Sequence, residues 1–134
     1  MDQNQIEALV DAARDVRQHA YCPYSHFPVG CALLSQDGKI FTGVNVENVS
    51  FGATNCAERS ALFTAASLGY RPGFIKAIAV AGATEDFLPP CSICRQVLVE
   101  WADPATPVYL TRNDGQIKRL KLLDLAPYSF TQMN

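Results

Sequence analysis

Apolar and polar residues in the first third of the chain follow first a helical and then a strand period. Residues 4–20 place their apolar side chains on one stripe at helical spacing, which predicts an amphipathic helix that covers a sheet. Residues 29–34 and 40–46 are two apolar runs joined by Asp37-Gly38, a pair that supplies the positive φ angles of a tight turn. The pattern therefore predicts one helix followed by a β-hairpin.

The remaining two-thirds of the chain predict two further helices interleaved with short strands. Residues 56–68 are apolar almost all round and stop at a glycine, which is typical of a helix buried on most sides. Residues 74–80 read as a strand, Pro89-Pro90 precedes a helix with one apolar face, and two short strands flank residues 113–115. The order α-β-β-α-β-α-β-β predicts a layered α/β sheet whose helix N-termini gather at one edge, where ligands usually bind.

Composition narrows the classes of protein that fit this pattern. The chain has 134 residues, of which 49% are apolar and 18% charged, so we expect a single folded domain over residues 1–134. A net charge of −2 without a basic stripe disfavours nucleic acid polymers as partners and favours a small substrate. No apolar run is long enough for a bilayer, and five cysteines suit a reducing compartment. We therefore expect a cytoplasmic protein without membrane contacts.

Three of the cysteines lie at the starts of the two later helices. Cys91 and Cys94 are three residues apart in one first turn, and Cys56 opens the other helix, where the helix dipole favours thiolates. No fourth ligand has a comparable spacing, so the pattern predicts a zinc ion with one position open for water. Glu58 is two residues beyond Cys56 and points along another face, which places it beside the metal as a base.

Two arginines follow these cysteines closely. Arg59 lies three residues after Cys56, and Arg95 follows Cys94 directly. Three thiolates carry more negative charge than one zinc ion neutralises, which blunts the acidification of its water. We expect both guanidinium groups to donate hydrogen bonds to the sulfur atoms and offset that charge.

The cysteines leave two structural alternatives open. Cys91 and Cys94 alone equally indicate a redox dithiol. A structural zinc site with four thiolates would borrow Cys22 or Cys31, although Cys31 falls within a predicted strand as a small core residue. Outside enzymes, a zinc-stabilised or redox-switched binding module also fits these observations.

Several blocks of sequence, in order, carry a more specific signal. They are residues 24–30 (YSHFPVG), 43–48 (GVNVEN), 56–59 (CAER), 90–96 (PCSICRQ) and 125–130 (LAPYSF). Together they resemble the zinc-dependent cytidine deaminase family in its short, homotetrameric form. The resemblance covers nearly the whole chain, and it implies a three-layer fold in which a five-stranded mixed sheet carries helices on both faces.

The resemblance also implies an activity and the residues that perform it. Zinc on the three cysteines would activate water for attack on C4 of cytidine or 2′-deoxycytidine, with Glu58 as base and then acid, releasing ammonia. Asn45 and Glu47 would hold the ribose hydroxyls, as alternate polar residues at one strand end can grip a diol. The resemblance implies that Phe27 packs against the nucleoside and that the backbone of Ala57 seats the pyrimidine. It further implies a homotetramer in which Phe130 reaches a neighbour's active site.

The chain departs from the family pattern at a few positions. Ser92-Ile93 stands where the family mostly has glycine and a small residue, Phe51 where tyrosine is commoner, and Ala126 where leucine is commoner. Ser92 adjoins the predicted zinc ligand Cys91. Its side chain therefore affects whether the substrate pocket accepts cytidines with a substituted amine. The alternative activity is therefore deamination of N4-substituted cytidines or of another cytosine nucleoside analogue.

Overall fold

The computed structural model of the chain describes residues 1–133, and residue 134, the last of the predicted domain, lies outside the described residues. The elements are α1 (Gln3–Val16), β1 (Val29–Ser35), β2 (Ile40–Val44), α2 (Ala57–Ser67), β3 (Ile75–Gly82), α3 (Ser92–Trp101), β4 (Pro107–Thr111), β5 (Ile117–Lys121) and α4 (Leu122–Leu125). The predicted order is confirmed through β5. The short helix α4 was not predicted.

The five strands form one mixed sheet in the order β2-β1-β3-β4-β5. Strands β3 and β4 are parallel, with α3 as their crossover, and the other neighbouring pairs are antiparallel. Helix α1 buries Leu9, Val10 and Ala13 against one face of the sheet. Helices α2 and α3 pack on the opposite face, where Leu62 and Leu98 join the larger core. The predicted mixed sheet with helices on both faces is therefore confirmed.

Two glycines let the helices approach the sheet closely. A β-carbon on Gly43 of β2 would lie 2.2 Å from the backbone nitrogen of Ala61, and one on Gly30 would lie 2.0 Å from the carbonyl oxygen of Ala13. No side chain fits at such distances, so glycine is required where α2 and α1 cross the strands. This close packing fixes the position of the α2 N-terminus relative to the sheet.

Strand β2 ends two residues earlier than the pattern predicts. Val46 leaves the ladder of β1 and instead forms isolated bridges with Tyr21 and Asn55. The segment after β2 is therefore extended but paired with loops on both sides. Among residues 1–133, none of the helices is both long and apolar enough to span a bilayer.

Candidate active site

The site begins where α2 and α3 begin. Cys56 is the N-cap residue of α2 and Cys91 that of α3, and both have extended backbones. The extended conformation of Cys56 continues from Asn55, which pairs with Val46. Before Cys91, Pro89 precedes another proline and is therefore steered away from helical geometry, which favours an extended approach to the helix. Cys94 lies in the first turn of α3, where its backbone N–H donates to the sulfur of Cys91 at 3.5 Å.

The sulfur atoms of Cys56, Cys91 and Cys94 lie within 4.8 Å of one another. The Sγ atoms of Cys56 and Cys91 are 3.7 Å apart, and tetrahedral zinc with Zn–S bonds of about 2.3 Å places its sulfur ligands about 3.8 Å apart. The donor set and its spacing therefore fit a zinc ion. Over residues 1–133, no other group of three or more histidine, cysteine or acidic side chains has metal-binding spacing.

The two remaining cysteines lie outside this cluster. Cys31 is fully buried within β1, and burial raises the pKa of its thiol well above the usual value. Cys22 is half-buried and is not among the clustered sulfurs. The structure therefore does not favour the four-thiolate alternative.

Charge within the cluster is concentrated on Cys56. The Cys94 thiol donates to the sulfur of Cys56, which lowers the pKa of Cys56 to about 5 and raises that of Cys94. The guanidinium group of Arg59 also contributes, since its Nη2 donates to the Cys56 sulfur at 3.3 Å. Arg59 thus places a positive charge directly against the sulfur cluster.

The hydrogen-bond partners of Arg95 are not the cysteine sulfurs expected from the sequence. Its Nε donates to the carbonyl oxygen of Pro90 at 2.8 Å, and its Nη1 donates to that of Leu125 at 2.9 Å. No hydrogen bond joins Arg95 to a cysteine sulfur among the described residues. The free carbonyls before α3 and at the end of α4 bind this guanidinium group, so Arg95 ties these two segments together.

Glu58 lies in the first turn of α2 and is only 3% exposed. Burial raises the pKa of its carboxyl group to about 7, partly offset by a hydrogen bond with Cys94, while the negative charge of Cys56 raises it further. This side chain is therefore not a solvated helix residue. A buried carboxyl group with a pKa near neutrality can both accept and donate a proton.

A cavity of about 410 Å³ is lined by Glu58, Cys56 and Cys91. Its wall includes Phe27, Asn45, Glu47 and Ala57, which the sequence assigned to a substrate site. The volume suits a small organic molecule. Ser25, Leu88 and Pro89 also line it, and sequence reasoning missed them, although Ser25 lies two residues before Phe27 and Pro89 two residues before Cys91.

Asn45 and Glu47 are held by backbone groups around this cavity. The side chain of Asn45 accepts from the N–H of Val29 at 2.9 Å and donates to the carbonyl oxygen of Phe27 at 2.8 Å. Glu47 accepts from the N–H groups of Tyr24 and Ser25 and from the Ser25 hydroxyl. The Ser25 hydroxyl is the main cause that lowers the pKa of Glu47. Asn45 retains one N–H donor and one acceptor position for a ligand, and Glu47 retains one acceptor position.

Three positions singled out from the sequence lie away from the cavity wall. Phe130 is 66% exposed, and its carbonyl oxygen accepts from the side chain of Gln96 at 2.6 Å. Ser92 and Ile93 are likewise not among the cavity-lining residues that the structure describes, and Ile93 is exposed. Phe51, by contrast, lines the cavity and remains 68% exposed in the single chain.

Comparisons with known proteins agree with this geometry. Residues 3–110 match the family model described as "Cytidine and deoxycytidylate deaminase zinc-binding region". Cytidine deaminase from Sporosarcina psychrophila is 45% identical over 95% of this chain and 92% of its own length. The enzyme of the same name from Halalkalibacterium halodurans is 46% identical over 93% of each chain. The crystal structure of cytidine deaminase from Burkholderia pseudomallei superimposes with a TM-score of 0.91 and 48% identity, over 97% of this chain and 100% of that chain.

Proposed function

The chain belongs to the zinc-binding cytidine and deoxycytidylate deaminase family, and from this premise we propose that it hydrolyses cytidine and 2′-deoxycytidine. The products are ammonia and either uridine or 2′-deoxyuridine. This reaction belongs to pyrimidine salvage. The observation that carries the proposal is the cluster of three cysteine sulfurs beside buried Glu58, facing a cavity of nucleoside size. We assign this activity to one catalytic domain over residues 1–134 and place the protein in the cytoplasm.

One zinc ion per chain would be held by Cys56, Cys91 and Cys94. When bound there, zinc supplies a Lewis acid that activates water for attack on C4 of the pyrimidine. Arg59, which donates to the Cys56 sulfur, offsets the negative charge of the thiolates and keeps the site able to acidify water.

Glu58 moves the protons of the reaction. Its carboxylate takes a proton from the attacking water and delivers it to N3 of the ring. It then carries the second proton to the departing amine, which leaves as ammonia. The pKa of about 7 that burial gives this group suits both the basic and the acidic step near neutral pH.

The remaining cavity residues orient the nucleoside. The face of Phe27 packs against it, and backbone groups of Ala57 at the start of α2 seat the pyrimidine. Asn45 and Glu47 bind the sugar hydroxyls through the hydrogen-bonding positions that their backbone contacts leave open. Binding energy from the sugar thereby orients the reacting ring.

The cavity favours a nucleoside over a nucleotide. Among residues 1–133, no lysine or arginine lines the cavity, whereas Glu47 and Glu58 do. A 5′-phosphate in a protein site is ordinarily met by cationic side chains. The guanidinium group of Arg59 is directed at a sulfur instead, so the phosphate of deoxycytidylate finds no cationic partner among the cavity-lining residues of its own chain.

We further propose that the protein assembles as a homotetramer with shared active sites. Phe130 does not line the cavity of its own chain and exposes two-thirds of its surface. These facts support a role in which the aromatic ring covers a neighbouring subunit's cavity.

The test is an absorbance assay of the purified zinc-loaded protein. Loss of the long-wavelength band of cytidine and 2′-deoxycytidine, with release of one ammonia per turnover, is the expected result. Free cytosine and deoxycytidylate should be very poor substrates. No turnover of either nucleoside would reject the enzyme in favour of a binding module, and a preference for N4-methylcytidine would reassign its substrate.

A further inference from the structure

The hydroxyl group of Ser25 connects two parts of the cavity wall that are distant in the chain. It donates to Oε2 of Glu47 and accepts from the backbone N–H of Phe27 at 3.1 Å. The backbone N–H of Ser25 donates to Oε1 of the same carboxylate at 3.0 Å. Ser25 therefore binds both carboxylate oxygen atoms of Glu47 and the backbone N–H of Phe27.

Asn45 binds the backbone carbonyl group of Phe27. Its Nδ2 donates to the Phe27 carbonyl oxygen at 2.8 Å, while its Oδ1 accepts from the N–H of Val29 at the start of β1. Both backbone polar groups of Phe27 are thus bound by side chains of the cavity rather than by a strand neighbour. The position of the Phe27 ring depends on these two contacts.

The backbone between Ser25 and Phe27 is held in an unfavourable conformation. His26 has a φ of 56°, in the left-handed region that residues with a side chain rarely adopt. The His26 N–H donates to the Cys22 carbonyl oxygen at 3.0 Å, and the Ser25 hydroxyl spans the turn to Phe27. Such strain persists where surrounding contacts fix the backbone for a function.

We propose that Ser25 is a positioning residue for the sugar-binding side of the site. Its hydroxyl fixes the Glu47 carboxylate and the Phe27 ring together before the nucleoside arrives. A glutamate has several rotatable bonds, so a carboxylate anchored on one oxygen only would sample orientations that do not meet the sugar. This inference rests on the proposed function, in which Glu47 binds the sugar.

Three variants of the zinc-loaded full chain test the proposal. Ser25→Ala should raise the KM for cytidine about 10-fold or more, because a hydrogen bond to a charged group is lost, and should change kcat less than about 3-fold. Ser25→Thr retains the hydroxyl on an exposed residue and should restore most of the affinity. Ser67→Ala is the matched control, since that exposed serine donates to a backbone carbonyl of α2 at 2.8 Å, and it should leave both constants unchanged.

A double-mutant cycle then separates positioning from a general structural role. In a Glu47→Ala background, Ser25→Ala should raise the KM by less than about 3-fold, because its main target is gone. Equal effects in both backgrounds, an unchanged KM for Ser25→Ala, or loss of zinc from that variant would each overturn the inference. Failure of the proposed function looks different: the unaltered protein would not consume cytidine, or Glu47→Ala would leave the KM unchanged, and either result removes the inference as well.

Discussion

Glu58 lies in the first turn of α2 and lines the cavity beside Cys56, and its burial leaves little water to stabilise a charge. Replacing it by glutamine retains its shape and one hydrogen bond but removes the ability to carry a proton. We expect Glu58→Gln to lower kcat by about 10²-fold or more, measured by the cytidine absorbance assay. Zinc content should stay at one per chain, since Glu58 is not one of the clustered sulfur donors.

The control for this variant is Glu100→Gln, which makes the same chemical change on an exposed residue of α3. It should leave kcat unaltered. Loss of zinc along with activity in Glu58→Gln would contradict the acid–base assignment and make the residue structural.

Individual residues were predictable from the sequence where local spacing alone decides their position. Cys56 and Cys94 follow from helix starts, because a first turn fixes which side chains face outward from the N-terminus. The contacts of Arg95 were not predictable, since they depend on a carbonyl group of Leu125, 30 residues away. The role of Ser25 likewise depends on a loop that closes on Glu47, 22 residues further along the chain.

At the scale of elements, the position of α2 depends on the absence of a side chain in β2. A β-carbon on Gly43 would meet three backbone atoms of α2, the nearest at 2.2 Å, which cannot move independently of the helix. We expect Gly43→Ala to lower the free energy of unfolding by about 2–3 kcal/mol or more through overpacking. Chemical denaturation of the zinc-loaded protein measures this change, and zinc affinity should weaken as the α2 N-terminus shifts.

The matched control is Gly52→Ala. A β-carbon at Gly52 meets nothing within 4 Å, and no left-handed φ is required there. Its free energy of unfolding should change by less than about 0.5 kcal/mol. Similar losses in both variants would show that glycine flexibility, rather than helix–strand contact, is the cause.

A second prediction at this scale concerns the metal that would join the starts of α2 and α3. Without zinc, three sulfurs within 4.8 Å must share protons or repel one another. Removing zinc with a chelator should lower the melting temperature by about 5 °C or more, because a ligand that binds only the folded state stabilises it. Hydrogen exchange should rise at residues 56–60 and 91–95 while α1, on the opposite face, stays protected. Equal exchange in both forms would contradict a metal that holds the two helices together.

Most helices and strands could be predicted from the periodicity of apolar residues, because a helix face and strand alternation each produce a local sequence pattern. Helix α4 could not be predicted, since it has only four residues, and its start depends on the Asp124 carboxylate accepting the Lys121 N–H at 2.9 Å. The end of β2 at Val44 was also missed. Val46, two residues further on, is as apolar as a strand residue, but it pairs with Tyr21 and Asn55 outside the sheet.

At the scale of the whole molecule, several large apolar side chains remain on the surface of the single chain. Val49, Phe51, Ile93, Tyr128 and Phe130 are each more than 60% exposed. Tyr128 also has a left-handed backbone, with φ of 55°, a conformation that needs contacts to hold it. The proposed tetramer would cover side chains of this kind if they lie where copies of the chain meet.

The tail formed by residues 128–133 gives this proposal its sharpest test. Its aromatic residues contribute no zinc ligand and do not line the cavity of their own chain. Ending the chain after Pro127 should therefore leave zinc in place and weaken cytidine binding by about 10-fold or more, as loss of an aromatic lid exposes the bound base to water. Phe130→Ala should reproduce most of that loss, whereas Met133→Ala, which also removes an exposed apolar side chain, should not.

Sedimentation combined with a binding isotherm provides the measurement. A truncated tetramer that binds cytidine as tightly as the full chain would refute the lid, and a full-length monomer with normal turnover would refute the shared site.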